Sequence, residues 1–290
     1  MKKISQYFIL LAAAFLPSIS FAHVKWFVDS EEVIESSHGF TSFYSWGSKE
    51  VLIWSAIVLA TVFIFSFIDR WVKTPKRIFA FGMRNEKSIN RISQVILGLF
   101  LISVSFLWKI IIVPELSVNG IFTTVLQYVQ VLIGLMFVFN IRPRLAAIGL
   151  MVFCIGLIFS IGFVAFLENA MLLSLALYFF IVNSKEDSKV FRFNKHAVEI
   201  VRIGTGISLI VLAFTEKLIY PELGLQFLEI HHWNFMQPIF PWFTNELFVL
   251  STGFAEMIFG ILFILGYITR VTTILIAIFF GLSVTTMFIQ

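Results

Sequence analysis

The chain has 290 residues, of which 59% are hydrophobic and 13% charged, with a mean hydropathy of +0.95. Soluble domains carry about 25% charged residues, so half that share, with several apolar runs of helix-spanning length, excludes an ordinary soluble domain and places the chain in a bilayer. The net charge of +4 does not signal nucleic acid, because the basic residues gather in one set of loops, and the single cysteine, Cys154, excludes an intrachain disulfide, a CxxC pair and a zinc ribbon.

Residues 1–22 read as a secretory signal. Lys2 and Lys3 precede an apolar core from Phe8 to Leu16, Pro17 breaks it, and Ser20-Phe21-Ala22 places small residues at a cleavage site. Residues 23–50 then form an outer, periplasmic segment. A mature N-terminal His23 offers an α-amine and an imidazole to one metal, a nitrogen set that suits copper(II), with His38 or His231 to complete it. The bland reading of His23 is a residue that merely follows a cleavage point.

Residues 51–90 hold a first span (51–69) and a basic loop. A unit of four helices follows at 91–183, with spans at 92–113, 121–140, 145–166 and 169–183. Residues 184–196 are a linker. The last unit, 197–290, has spans at 198–219, 246–268 and 271–289, and a long loop at 220–245. The expected fold is therefore an all-α, polytopic transmembrane bundle of about eight spans. With residue 23 outside, 17 of the 21 Lys and Arg residues fall on the cytoplasmic side. That bias orients the protein in a bacterial plasma membrane by the positive-inside rule and explains the basic balance through anionic lipid rather than nucleic acid.

The two units resemble each other. ILGLFLISVSFLWKIIIVPEL (96–116) aligns with GTGISLIVLAFTEKLIYPEL (204–223), and QVLIGLMFVFNIRPR (130–144) aligns with EMIFGILFILGYITR (256–270). Gly98 pairs with Gly206, Lys109 with Lys217, Gln130 with Glu256 and Gly134 with Gly260. Matched helices run the same way, so the repeats are parallel. Polar features collect in the second copy, which has Glu216 where the first has Trp108.

EKLIYPELGLQFLEIHHWNFM followed by FAEMIFGILFILGYITR resembles the DoxX-like membrane proteins. The mid-helix Glu, the two glycines after it and the closing Thr-Arg carry the likeness, which covers the second repeat well, the first weakly, and residues 23–90 not at all. The resemblance implies a four-helix membrane unit and a link to quinone-dependent respiratory complexes, with a redox partner subunit to carry the electrons. It implies no particular catalytic residue.

Candidate residues are read from the chain itself. Glu256 lies near the middle of a span, where a charged side chain costs about 2.5–3.5 kcal/mol. It suits a proton relay or a hydrogen-bond partner for a quinone head group; its structural alternative is a protonated acid bonding a neighbouring helix. Glu216 and Lys217 end the sixth span: the lysine is expected to snorkel to the interface and the glutamate to turn inward. Pro221 and Gly224 are expected to stop the helix. In the loop, His231 and His232 are candidates for proton exchange and Trp233, with Lys217, for holding a quinone ring, against an aromatic belt at the headgroups or a lid over a lipid-soluble ligand. The leading expectation is a membrane component of quinone-linked redox metabolism. The others are a metal-handling or small-solute transport protein using His23 and His38, and a non-catalytic assembly subunit.

Overall fold

The computed structural model describes Lys25 and residues 44–71, 86–185 and 188–278. The signal sequence, His23, His38, most of the loop after the first span and the final dozen residues lie outside the described part. The chain forms two compact units, one from residues 73–204 and the other from residues 19–72 with 205–290. Every long element is helical.

In the first unit α2 (Glu86–Leu107) packs on α3 (Ile121–Val138) at a two-glycine crossing. A Cβ on Gly98 would lie 2.5 Å from the Gly134 carbonyl oxygen, and one on Gly134 would lie 2.8 Å from that of Gly98. No other residue fits such an approach. Arg91 donates to the Phe137 carbonyl at 2.7 Å and also to that of Val138, satisfying the last carbonyls of α3. Next come α4 (Pro143–Ser160), a short α5 (Phe163–Glu168) and α6 (Ala170–Val182). A 3₁₀ turn (Phe191–His196) leads into α7 (Ala197–Ala213).

The second predicted span, 92–113, is shorter than expected. It ends at Leu107, and β1 (Ile110–Ile111) and β2 (Val113–Ser117) form an antiparallel hairpin. Lys109 and Ile112 take left-handed φ values of 54° and 62°. For β-branched Ile112 this conformation costs about 1–2 kcal/mol. Gln130 offsets it: its side chain accepts from the Ile112 amide at 2.9 Å and donates to the Leu101 carbonyl at 3.0 Å.

The second unit holds α1 (Lys49–Trp71), the end of α7, a π-helical turn (Phe214–Leu218), α8 (Pro221–His231), α9 (Asn245–Leu265) and α10 (Thr269–Ile278). Helices α1 and α9 run side by side in the same direction. Val51 and Val58 join Leu218, Leu250 and Phe254 in one cluster, and the Asp69 carboxylate accepts from the Ile268 amide at 2.8 Å beyond the other end of α9. The contact of α7 with α9 is again a two-glycine crossing, where a Cβ on Gly206 would lie 2.7 Å from the Gly260 carbonyl oxygen.

Six of these helices are long and apolar enough to cross a membrane. Two of the eight expected spans fall short in the described residues. Helix α6 has 13 residues, a rise of about 20 Å against a hydrocarbon core of about 30 Å, and α10 is described only to Ile278. Helix α1 buries only Val51 and Val58 and exposes Leu52, Leu59, Phe63 and Phe67 by more than half each. An apolar face of that extent suits acyl chains rather than water, and the helix set is compatible with a multi-pass membrane protein.

Candidate functional site

The sixth span reaches Leu218, close to its expected end, but its last turn is not a regular α turn. Its last turn widens, with the Ile219 amide donating to the Phe214 carbonyl five residues back at 2.8 Å. Thr215 returns its hydroxyl to the Val211 carbonyl at 3.1 Å. A π turn is rare, and single π turns within helices occur frequently at functional sites. Here it carries Glu216 and Lys217. Gly253 on α9 gives it room: a Cβ there would sit 3.0 Å from Leu218 Cδ2 and 3.1 Å from Lys217 Cβ.

One helical turn further along α9, Glu256 meets the lysine. Lys217 Nζ lies 2.9 Å from Glu256 Oε2 and 3.8 Å from Glu216 Oε2. Glu216 is fully buried, Glu256 is 3% exposed and Lys217 is 8% exposed. Glu256 is the twelfth residue of α9, about 17 Å along a helix about 31 Å long. At that spacing the ion pair is worth on the order of 5 kcal/mol at an effective dielectric of 20. Desolvation costs several kcal/mol for each ion. The two terms are of one size, so fold stability alone gives no reason to keep three ionisable groups here.

Snorkelling of Lys217 to the interface does not occur. The expectation rested on its place at the end of the span and was supported by its match with Lys109, and that match fails for a local reason. Helix α2 has ended before Lys109, which is left-handed and exposed. The second unit continues for one π turn, and its lysine is carried inward to Glu256. The helix stops before Pro221 as expected, and the proline also opens α8 at its first position, where its missing N–H costs nothing. Gly224 lies inside α8 and lets it approach α9, since a Cβ would meet the Val249 methyls at 2.9 Å. The sixth span thus ends at Leu218, close to its expected end, with its charged residues in the last turn and a non-helical Tyr220 before α8.

The expected loop 220–245 is largely ordered structure. Helix α8 lays Leu223, Phe227 and Leu228 against Phe248 and Val249 of α9. The Asn234 side chain ties the remaining segment together, donating to the Phe243 carbonyl at 2.9 Å and to Asn245 Oδ1 at 3.0 Å and accepting from the Gln237 amide at 3.2 Å. A segment pinned in this way packs as part of the unit rather than hanging as a free lid. Trp233 packs edge-on to Phe227 and Phe248. His231 lies against the Phe227 ring at 4.7 Å, and His232 is the exposed, left-handed cap of α8. Both histidines are at the end of α8 opposite Pro221, about 15 Å away along the helix. Of the predicted site residues, the fold thus brings together Glu216, Lys217 and Glu256, and sets His231, His232 and Trp233 apart. His23 and His38 lie outside the described residues, and no cluster of three metal-ligating side chains occurs among the described ones.

A cleft leads to Lys217 from the N-terminal ends of α1 and α9. It is lined by Tyr44, Trp46, Val51, Leu218, Pro221, Glu246, Leu250 and Phe254, with space of about 20 Å³. Trp46 stacks on Phe214 with centroids 6.4 Å apart. The Tyr44 phenol is pushed above its ordinary range by burial and, secondarily, by the Glu246 carboxylate. Tyr44 and Trp46, in the outer segment before α1, and Glu246, in the first turn of α9, have no motif or spacing in the sequence that joins them to the cluster. Gly253 had one: it lies seven residues before Gly260, the spacing of one helix face.

Comparison of the chain with family models, with curated proteins and with solved structures gives no match. The functional reading therefore stands on this geometry.

Proposed function

We propose that this protein is a multi-pass membrane protein whose working centre is the Glu216–Lys217–Glu256 cluster, a site that takes up and releases protons inside the bilayer. The observation that carries the reading is the 2.9 Å contact between Lys217 and Glu256, made deep in helices of spanning length by groups each less than a tenth exposed. Ionisable groups in such a place mark proton relays and ion pathways more often than scaffolding. The π turn and the non-helical Tyr220 support it, since irregular backbone at membrane depth is kept where it faces a cavity or polar site. The Lys and Arg distribution supports a reading in which the cleft and the N-terminus face the outer side of a bacterial plasma membrane.

The tandem-repeat and DoxX-like reading belongs to the same proposal. What supports it is the like use of matched residues: Gly98 with Gly134 and Gly206 with Gly260 each make the crossing of their unit, and Gln130 and Glu256 each bond a group from the chain that follows the preceding helix. On this reading the first unit is scaffold and the second carries the site.

Quinone-linked redox chemistry is a second, finer reading, favoured by the Tyr44 and Trp46 rings on the cleft. A space of about 20 Å³ holds a water, whereas pockets for organic ligands run to about 300–1,000 Å³. A quinone would have to displace the Trp46 ring, and its electrons would pass to a partner subunit.

The experiment is infrared difference spectroscopy of the reconstituted protein across a pH change. A carboxylic C=O band that disappears in Glu256→Gln is the expected result. An identical spectrum for wild type, Glu256→Gln and Glu216→Gln sinks the proton-exchange reading and leaves an assembly subunit. Quinone retained through purification and lost on Trp46→Ala supports the second reading.

A further inference from the structure

The cluster needs a route to water, and the cleft has the chemistry of one. Three of its lining residues are polar, Tyr44, Glu246 and Lys217, and the rest are apolar. A buried water requires roughly 10–15 Å³ and two to four polar partners. The cleft's 20 Å³ and its phenol, carboxylate and ammonium meet both conditions. The apolar wall of Val51, Leu218, Leu250 and Phe254 is tightly packed, so the polar side chains mark a single line of passage through the cleft.

We propose, resting on the proton-exchange reading above, that Glu246 and Tyr44 form the outer access gate through which one water connects the aqueous surface to the cluster. A hydronium ion at the surface gives its proton to the Glu246 carboxylate. The proton passes through the cleft water to Lys217, the cluster member that lines the cleft, whose ammonium hands a proton to the Glu256 carboxylate and takes the water's proton in its place, so that Lys217 remains an ammonium. Release runs the same steps backwards, so no oxidant, reductant or leaving group is involved. Tyr44 positions the water, since its phenol stays protonated through the neutral range under the influence of burial and of Glu246, with Thr244 bonded to it and Glu50 acting more weakly. Among the described residues, the charged groups in contact within the cluster are Glu216 and Lys217 from the π turn and Glu256 from α9. The proposal assigns protons from the outer aqueous phase, rather than a lipid-borne hydrogen donor, as what reaches this site.

The test follows the Glu256 band in time after a pH jump, with full-length protein in liposomes. Three single variants are compared with wild type: Glu246→Gln, Tyr44→Phe and the plugging change Val51→Phe. The final amplitude should be kept while the rate falls about tenfold or more in Glu246→Gln and Val51→Phe, with a smaller slowing in Tyr44→Phe. Because Val51→Phe disturbs packing, Glu246→Gln is the decisive variant and its amplitude is the check on folding. Unchanged rates in both Glu246→Gln and Val51→Phe overturn the access gate and leave the cluster's proton exchange intact. Absence of any Glu256 band in wild type overturns both, so the two failures are distinguishable.

Discussion

At the scale of single residues, Gln130 and Glu256 define what each unit tolerates. Gln130 uses both ends of its amide, one on the Ile112 N–H and one on the Leu101 carbonyl. A glutamate there keeps the acceptor and loses the donor, in a site whose contacts to that side chain are backbone groups. Gln130→Glu should therefore cost about 1–3 kcal/mol, read as a lower Tm in mild detergent. Glu256→Gln should cost less, because Lys217 keeps Glu216 at 3.8 Å and an amide oxygen still accepts. Removing the lysine is different. Lys217→Ala takes the cation from beside two buried carboxylates and should cost about 3–5 kcal/mol, while Lys217→Met combined with Glu256→Gln should recover part of that loss; simple addition of the single losses would refute the coupling. For Tyr44 the folded phenol titrates above the unfolded one, so its contribution is whole below the unfolded pKa and is lost as pH rises through the folded one. Tyr44→Phe should therefore flatten the alkaline limb of the stability curve and leave its slope around neutral pH unchanged. The interior position of Glu256 was legible, since an acid ringed by Phe, Met and Ile has few places to go. The fate of Lys217 was not, because it depends on whether the preceding helix ends before the residue or one turn after it.

At the scale of elements, two crossings and one widened turn set the geometry. A Cβ at Gly260 would meet the Gly206 carbonyl at 2.8 Å and Ile210 Cγ1 at 2.6 Å. Backbone cannot swing aside as a side chain can, so Gly260→Ala should force the helices apart and cost about 1–3 kcal/mol. Gly253→Ala meets only side-chain atoms, at 3.0–3.2 Å. It should cost less in stability yet push the π turn off α9 and weaken the Lys217–Glu256 contact. The measurement is a Tm for each variant beside the amplitude of the Glu256 band: a larger spectral than thermal effect is expected for Gly253→Ala and the reverse for Gly260→Ala. Long spans were readable because twenty apolar residues in a row admit one structure in lipid. The hairpin at 110–117 was not, because IIIVPEL continues the apolar run of α2 and its reversal rests on left-handed Lys109 and Ile112, residues with no bias toward that conformation. Helix α8 was missed for the opposite reason: Pro221 and Gly224 look like breakers, and only contact with Val249 shows that the glycine serves packing.

At the scale of the molecule, the issue is where water meets the site. If the Lys and Arg bias orients the chain, the cleft opens outward and the basic loops lie in the cytoplasm. Single cysteines placed in a Cys154→Ser background decide this, since Cys154 is the natural thiol and is buried. Positions on surface segments are suited to it: Asn119 before α3 and Gln237 after α8 for the outer side, Lys189 before the 3₁₀ turn for the inner. Thiols at 119 and 237 should react with a membrane-impermeant maleimide on intact cells, and a thiol at 189 only after the cells are opened. The opposite pattern would turn the cleft to the cytoplasm, and Glu246 would then collect protons from the cell interior. A thiol at 237 that reacts only after opening, beside a reactive one at 119, would mean that the sixth span does not cross. That outcome would place the Glu216–Lys217–Glu256 cluster at a surface, where its burial by α1 and α9 would answer to packing alone.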